Sequence, residues 1–239
     1  MLFISPPFGN YFDFKHTTSI RGSFTLEPRT GLIGQIIKTL RYSYKHGGWV
    51  NKIGLRNKGL MWALEKYKNS DDIISIAILN ENEIKPILKI LPETTNIELN
   101  ISCPNVDKSL VNNNLHKFLN NKRRWCIIKV SPTCDTRLID SYYNKGFRQF
   151  HCSNTLKIKE GGLSGVKLIP YNNFLIQYIS KKYTDVEIIA GGGIYNYNTM
   201  INYHNMGAKH FSISTIFFYP TQFISFYSKY VKMLGKKDF

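Results

Sequence analysis

Short apolar runs rich in β-branched residues alternate with longer amphipathic segments along most of the chain. Strands that alternate with helices in this way are typical of βαβ units and of a parallel sheet. Eight runs have the character of buried strands: Leu2 to Ser5, Ile20 to Leu26, Ile73 to Leu79, Ile97 to Ser102, Trp125 to Val130, Arg148 to Ser153, Val186 to Ala190 and His210 to Ser214. Eight strands with no sign of a second core favour a closed (β/α)8 barrel, the TIM barrel, over an open doubly wound sheet.

Most segments between the strands have helical spacing or helix-boundary residues. The predicted helices are Asn57 to Lys68, Glu81 to Leu91, Leu110 to Asn121, Arg137 to Asn144, Pro170 to Tyr183, Asn198 to Met206 and Pro220 to Met233. Leu32 to Gly48 is expected to be a polar, basic excursion. The chain has 239 residues, of which 43% are hydrophobic, so it can bury the core of one barrel, and we expect a single domain over residues 1–239.

The composition argues against several classes of protein. No apolar run approaches the roughly 18 to 20 residues that span a bilayer, and Met1 to Gly9 lacks the early basic residues of a signal peptide. The four cysteines have no C-x-x-C spacing, which favours reduced thiols and gives no ligand set for an iron–sulfur centre or another metal. We therefore expect a cytoplasmic protein that does not bind membranes.

The formal charge of +16 has two interpretations. It could mark a nucleic-acid or anionic-membrane surface. However, the lysines are scattered among asparagine, isoleucine and tyrosine, and the densest cluster, Asn121 to Arg124, is short. A compositional bias of the whole chain is the better explanation, so we do not expect nucleic acid as a partner. A positive field would still favour a small anionic substrate.

The apolar pattern breaks within Asn96 to Asn105, which reads Asn-Ile-Glu-Leu-Asn-Ile-Ser-Cys-Pro-Asn. Pro104 cannot donate to a sheet ladder, so the strand must end there. A thiol, Cys103, flanked by the side-chain amides of Asn100 and Asn105 is typical of a site, because barrel enzymes collect their chemistry at the C-terminal ends of the strands. The alternative is a buried, unreactive thiol.

Glycine-rich or hydroxyl-bearing stretches follow the last three strands. Gly191 to Gly193 follows the seventh strand and Ser214 to Thr215 the eighth, where barrel enzymes hold phosphate on backbone N–H groups. Gly161 to Gly165, after the sixth strand, could close over the same group. Because glycine also serves turns and close packing, the predicted phosphate site depends on all three stretches lying at neighbouring strand ends.

A lysine and several asparagines complete the pattern. Lys129 lies within an apolar strand, where an unpaired ammonium is costly. It could point into the barrel mouth, toward an electron-rich ring, or reach water at the strand end. Asn51, Asn100, Asn105 and Asn154 each fall near a strand end, where an amide offers donors and an acceptor to a planar heterocycle or serves as a turn residue.

These stretches resemble motifs of the class 1 dihydroorotate dehydrogenases, the flavin enzymes of pyrimidine synthesis. Asn100 to Asn105 is similar to the N-x-S-C-P-N signature of that family. Further similar stretches occur in the family's order: Thr25 to Gly31, Asn51 to Asn57, Ile128 to Val130, Ser153 to Thr155, Gly161 to Gly165 and Ala190 to Ile194. Because so many matches in register are improbable by chance, the chain is identified as a member of this family.

The resemblance implies an FMN-containing (β/α)8 barrel that oxidises (S)-dihydroorotate to orotate in the de novo synthesis of UMP. By position, Cys103 would be the general base that removes the C5 proton while hydride passes from C6 to flavin N5. Lys129 would lie beside the flavin and stabilise its reduced, anionic form. Further cofactor-binding residues would be Asn100, Asn154, Gly162, Gly165, Gly192, Gly193, Ser214 and Thr215. The substrate would be surrounded by Asn51, Gly54, Leu55, Asn100, Asn105, Asn154 and Thr155.

The resemblance also bears on partners. A cysteine base is typical of the soluble class of these enzymes, whereas the membrane-associated, quinone-linked class has serine. The electron acceptor could be fumarate, NAD through a separate iron–sulfur subunit, or another oxidant. A homodimer is expected from the resemblance alone.

The sequence departs from the family pattern on strand two, where class 1 enzymes have a lysine that contacts flavin and orotate. Here that position is Gly22. Arg21 faces the opposite side of a strand and cannot replace the lysine, which leaves Lys15, from the shortened first βα segment, as a substitute. The N-terminal segment and the loop between Asn154 and Gly161 are also shorter than in relatives. Two alternatives therefore remain: a flavoprotein of this type with a different substrate or no turnover, and a cofactor-free barrel that acts as a binding or scaffold protein.

Overall fold

The computed structural model describes residues 1–101 and 114–235. Within them lie twelve strands: β1 (Leu2–Ile4), β2 (Thr17–Phe24), β3 (Arg41–Ser43), β4 (Gly48–Asn51), β5 (Ile73–Ile76), β6 (Ile97–Asn100), β7 (Cys126–Val130), β8 (Gln149–Cys152), β9 (Leu156–Ile158), β10 (Gly161–Ser164), β11 (Glu187–Gly191) and β12 (His210–Ile213). The same residues form seven α-helices: α1 (Leu32–Thr39), α2 (Leu60–Lys66), α3 (Ile84–Ile90), α4 (Thr136–Asn144), α5 (Ile169–Lys182), α6 (Tyr197–Asn205) and α7 (Pro220–Leu234).

Eight of the strands close into a parallel barrel in the order β1-β12-β11-β8-β7-β6-β5-β2. Leu2 of β1 closes the ring, since it pairs with Phe211 of β12 on one side and Thr17 of β2 on the other. Each of the eight predicted strands is one of these barrel strands, so the (β/α)8 fold is confirmed. The apolar, β-branched runs could be recognised because parallel strands are buried on both faces.

Helices α2 to α7 follow barrel strands and agree with predicted helices to within a few residues, whereas α1 was not predicted and contacts β4 of a smaller sheet. Two of them begin at side-chain caps: Asp135 accepts a hydrogen bond from the backbone N–H of Arg137 in α4, and Asn196 accepts one from Thr199 in α6. The predicted helix from Leu110 to Asn121 is wrong in its described part, where only a 3-10 turn spans Leu115–Phe118. None of the helices in the described ranges is long and apolar enough to cross a membrane.

A second, antiparallel sheet was not predicted; its strand order is β3-β4-β10-β9. Its strands belong to two connections, one between β2 and α2 and the other between β8 and α5. Both connections leave the carboxyl ends of barrel strands, so this small sheet lies at the end of the barrel where α/β barrels have their sites. Leu32 to Gly48, expected to be a polar, basic excursion, contributes α1 and β3, and Gly161 to Gly165, the glycine run that could close over a phosphate, contributes β10.

The interior of the barrel has an apolar layer and a polar layer. The apolar layer contains Phe3, Ile20, Ile73, Trp125, Ile127 and Ile189. On three strands, the side chain two residues further along points to the same face, nearer the carboxyl end. These side chains are polar and buried: Ser5, Ser75 and Lys129. The sequence therefore places buried polar groups directly beneath the carboxyl end of the barrel.

Candidate active site at the carboxyl end of the barrel

A cleft opens where the barrel strands end. The predicted site residues that line it are Lys129, Asn154, Thr155, Gly192, Gly193, Ser214 and Thr215. They come from four different strand ends, which the closure of the barrel brings together. His151, Ser153 and Ser212 also line the cleft and are not among the predicted site residues.

Asn100 belongs to the same site through a chain of side-chain hydrogen bonds. Asn154 donates from Nδ2 to Asn100 Oδ1 over 3.0 Å, and Asn100 in turn donates from Nδ2 to Ser23 Oγ over 2.8 Å. The Ser23 and Ser75 hydroxyls are 2.8 Å apart, and Ser75 Oγ donates to Glu98 Oε1 over 2.8 Å. Both amides are therefore held in fixed orientations by partners deeper in the barrel.

Glu98 lies at the centre of this polar layer and is wholly buried. Its Oε1 is 3.4 Å from the ammonium of Lys129, and its Oε2 is 2.5 Å from Nδ1 of His151. Burial opposes ionisation of Glu98, but the charge of Lys129, the electrostatic attraction of the His151 ring and the hydrogen bonds from His151 and Ser75 lower its pKa to about 2. Because a carboxylate only accepts hydrogen bonds, Nδ1 of His151 carries the proton.

Lys129 is paired and not simply exposed at a strand end. The side chain is buried, lies between Glu98 and the cleft, and so presents a positive charge to whatever occupies the cleft. Burial and the charge of Lys129 lower the pKa of His151, although Glu98 has the opposite effect. The three side chains thus form an ammonium, a carboxylate and a neutral imidazole.

The loop after β11 is shaped to receive an anion. Gly192 and Gly193 have φ of 84° and 77°, a region that favours glycine, and a Cβ on Gly192 would come within 2.8 Å of Leu168. Buried Asn172 donates to the carbonyl oxygens of Gly191 (2.5 Å) and Gly192 (3.2 Å), so both carbonyls have a hydrogen-bond partner within the protein. In the described part of the chain, the N–H groups of Gly192 and Gly193 make no backbone–backbone hydrogen bond, so they can donate to a phosphate.

The predicted substrate residues of the small sheet lie next to the cleft wall. Asn51 ends β4 and pairs with Gly162 of β10, and a Cβ on Gly162 would come within 2.6 Å of the hydroxyl of cleft residue Thr155. Gly54 and Leu55 follow in the next turn, with φ of 70° and 57°. Gly162 and Gly165 are not among the residues that line the cleft. Gly162 instead allows close packing within the sheet.

The backbone conformation at position 22 explains why this residue is glycine. Its φ is 126°, and a Cβ there would come within 2.6 Å of the carbonyl oxygen of Ser75, so a lysine cannot occupy this backbone conformation without a shift. Arg21 is held away from the cleft by Asp13 at 2.6 Å and Asp72 at 2.8 Å. Lys15 is exposed and is not part of the cleft lining. The only lysine that lines the described cleft is therefore Lys129.

Cys103 and Asn105 lie outside the described residues. Of the other cysteines, Cys126 and Cys152 are buried, and burial raises the pKa of the Cys126 thiol to about 12 and that of the Cys152 thiol further still. Neither would form a thiolate near neutral pH. Among residues 1–101 and 114–235, no group of three or more His, Cys, Asp or Glu side chains could hold a metal ion.

Two buried titratable residues of this site, Glu98 and His151, are not among the predicted site residues. Glu98 precedes Asn100 by two residues on the same strand, so both point into the barrel. The sequence contained a signal for Glu98. A buried lysine such as Lys129 requires an acidic partner, and Glu98 is an acidic residue in a neighbouring apolar strand. His151 gave a weaker signal, since a single histidine between Phe150 and Cys152 is compatible with either face.

These features define a (β/α)8-barrel protein whose cleft combines a buried ammonium with glycine N–H donors suited to an anionic ligand. No protein-family model matches the chain. The catalytic subunit of dihydroorotate dehydrogenase B (NAD(+)) of Petrotoga mobilis is 30% identical over 212 residues, which are 74% of this chain and 70% of the relative. A putative dihydroorotate dehydrogenase A (fumarate) of Aquifex aeolicus is 27% identical over 231 residues, 80% of this chain and 76% of the relative. The chain belongs to the dihydroorotate dehydrogenase family.

Solved structures agree with this fold. DHODH from Eimeria tenella in complex with ferulenol superposes with a TM-score of 0.71 over 94% of this chain and 78% of that one. The ligand-free protein from the same organism superposes with a TM-score of 0.71 over 99% of this chain and 85% of that one. Both are 16% identical to this chain, and at that identity they show a shared fold.

Proposed function

We propose that the chain is an FMN-dependent oxidoreductase that converts (S)-dihydroorotate to orotate in pyrimidine biosynthesis. The observation that carries the proposal is the convergence of Lys129, Asn154 and the Gly192–Gly193 loop on one cleft. Membership of the dihydroorotate dehydrogenase family supports the substrate, and the N-x-S-C-P-N signature at Asn100 to Asn105 supports the chemistry.

The donor set of the cleft fits FMN. The N–H groups of Gly192 and Gly193 and the hydroxyls of Ser214 and Thr215 would hold the phosphate. The ammonium of Lys129 would face the flavin ring, and the amides of Asn100 and Asn154, fixed by their mutual hydrogen bond, would bind its edge. When bound, FMN would supply a two-electron acceptor.

The residues that surround the substrate would be Asn51, Gly54, Leu55, Asn100, Asn105, Asn154 and Thr155. Cys103 would take the C5 proton. A thiol can do so near neutral pH only where its surroundings favour the thiolate and keep water out. Such a base must lie within hydrogen-bond reach of the proton on the substrate carbon.

The test is the rate at which dihydroorotate reduces bound flavin in variants of the base. Cys103→Ala should lower this rate by at least about 100-fold, since general base catalysis contributes 10²–10⁴-fold, while FMN stays bound. Cys103→Ser should retain part of the rate at high pH. Cys134→Ala, which changes a half-buried thiol that does not line the cleft, is the matched control and should react like the unchanged protein.

The outcomes distinguish the alternative functions. An unchanged rate in Cys103→Ala would remove the assignment of the base. Protein that binds FMN but is not reduced by dihydroorotate would be a flavoprotein for another substrate, and protein that takes up no FMN would be a barrel with a binding role. Reoxidation of the reduced protein by fumarate, by NAD with a partner subunit, or by neither would identify the electron acceptor.

A further inference from the structure

His151 is a titratable group beneath the cleft for which the proposed reaction has no role. Its side chain is 1% exposed, and Nδ1 is committed to Glu98 at 2.5 Å. The other ring nitrogen, Nε2, lies so close to β11 that a Cβ on Gly191 would be 2.6 Å from it. Within the described residues Nε2 makes no hydrogen bond that competes for its lone pair. His151 thus presents a proton acceptor at the wall of the cleft.

The charged groups that face His151 decide when this acceptor takes a proton. In the described part of the barrel these groups are Glu98 of β6 and Lys129 of β7, whereas β11 and β12 contribute the uncharged Gly191 and Ser212. Lys129 is the register neighbour of His151 and repels the proton, while Glu98 attracts it. A negative charge placed in the cleft next to Lys129 would offset the repulsion, because an added opposite charge favours the protonated form.

We propose that His151 is a redox-linked proton acceptor: when flavin bound in the cleft is reduced, Nε2 of His151 binds a proton from water. This inference rests on the proposed flavin site. Two-electron reduction with binding of one proton by the flavin would leave its ring with one more negative charge. The negative charge of the reduced flavin would then be balanced by the positive charges of Lys129 and His151. Glu98, which contacts both side chains, would remain their carboxylate partner. For each two electrons, His151 would bind one proton from solvent in addition to the proton that the flavin itself takes up, and no other covalent bond would change.

The experiment is NMR of protein with ¹⁵N-labelled histidine rings, loaded with FMN and observed before and after anaerobic reduction by dithionite. His151→Gln identifies the signals of His151, because the glutamine amide can still donate to Glu98 but cannot take a proton. His204→Gln, in α6 outside the barrel, is the matched control. We expect a neutral His151 ring with the proton on Nδ1 in the oxidised protein and a doubly protonated ring in the reduced protein at the same pH.

A second measurement gives an independent readout. The midpoint potential of the bound flavin should fall more steeply with pH in the unchanged protein and in His204→Gln than in His151→Gln, because only the first two couple reduction to an extra proton. Identical slopes, or a His151 ring that stays in one protonation state on reduction between pH 5 and pH 9, would overturn the proposal. Since dithionite replaces dihydroorotate, a failure of substrate turnover leaves this test intact; protein that binds no FMN would overturn the cofactor assignment and this inference together.

Discussion

Glu98 is the residue on which the interior of the barrel most depends. It is wholly buried and is the carboxylate partner of Lys129 and His151 within the described residues. A buried ion pair adds little net stability over an apolar replacement, but removal of one partner leaves an uncompensated charge. The burial of the Lys129 ammonium therefore depends on the carboxylate of Glu98. The positive charge at the cleft depends on both residues.

We expect Glu98→Gln to lower the free energy of unfolding by about 3–5 kcal/mol, because Lys129 would stay buried without its counter-charge. The measurement is urea unfolding monitored by circular dichroism. Glu65→Gln is the matched control, since the Glu65–Lys68 pair is exposed and such a pair contributes about 0.2–1 kcal/mol. A loss in Glu98→Gln no larger than that of the control would contradict the assigned role.

The same residues predict how stability depends on pH. The pKa of Glu98 is lowered from 4.5 to about 2 and that of His151 lies below 6.5, so the folded protein binds fewer protons than the unfolded chain. Stability should therefore be complete above pH 6.5 and fall as the pH falls, first through His151 and then, between about pH 4.5 and pH 2, by about 3 kcal/mol through Glu98. Unfolding at a series of pH values should show a shallower acid loss in Glu98→Gln; equal slopes would contradict the prediction.

The small sheet depends on close approach between β4 and β10. Gly161 has φ of 137°, and a Cβ there would overlap the carbonyl oxygen of Asn51. We expect Gly161→Ala to destabilise the protein by about 1–3 kcal/mol through backbone strain. Gly34→Ala is the matched control, because this glycine is in α1 with no atom near its Cβ position and alanine should stabilise the helix by about 0.5–1 kcal/mol. Thermal unfolding compares the two; a neutral Gly161→Ala would contradict the pairing.

The barrel strands and helices could be predicted because their patterns are local. Runs such as Ile73 to Leu79 are apolar at every position but one, and α4 and α6 carry their own caps. The small sheet could not be predicted, because the sequences of β10 (Gly-Gly-Leu-Ser) and β3 (Arg-Tyr-Ser) lack the periodicity of a strand. These strands form because β4 and β10 pair across a long sequence separation, and a glycine run compatible with that pairing is equally compatible with a phosphate loop.

At the scale of the whole molecule, the small sheet is attached to the barrel by aromatic contacts. Trp49 of β4 stacks on Phe218, with ring centroids 4.0 Å apart, and its Nε1 donates to the Tyr219 hydroxyl over 3.2 Å. Phe218 and Tyr219 lie directly before α7. These contacts support the expectation of a single domain, because the sheet has an interface with the last βα connection as well as with its own loops.

We predict that the barrel and the small sheet unfold in one transition. Trp62→Phe combined with Trp125→Phe leaves Trp49 to report on the sheet, and Trp49→Phe combined with Trp62→Phe leaves Trp125 to report on the barrel interior. Fluorescence of each variant should follow circular dichroism of the same variant across urea unfolding. An earlier transition for Trp49 alone would show that the sheet unfolds independently.

Much of the candidate site could be predicted because its residues follow strand ends, and parallel strands bring these ends together. Lys129 was recognisable from the cost of an ammonium in an apolar strand. The pairing of Lys129 with Glu98 and His151 could not be predicted. The stagger between strands determines which polar side chains meet inside a barrel, and the sequence does not give that stagger. The requirement for glycine at position 22 could not be predicted either, because it comes from the backbone conformation there and from the nearby carbonyl oxygen of Ser75.

The most direct test of the central claim is an anaerobic absorbance titration of the FMN-loaded protein with (S)-dihydroorotate. We predict that the oxidised flavin band is lost at close to one equivalent of substrate, with orotate formed in the same amount. A flavin band that persists in excess dihydroorotate would contradict the proposed reaction.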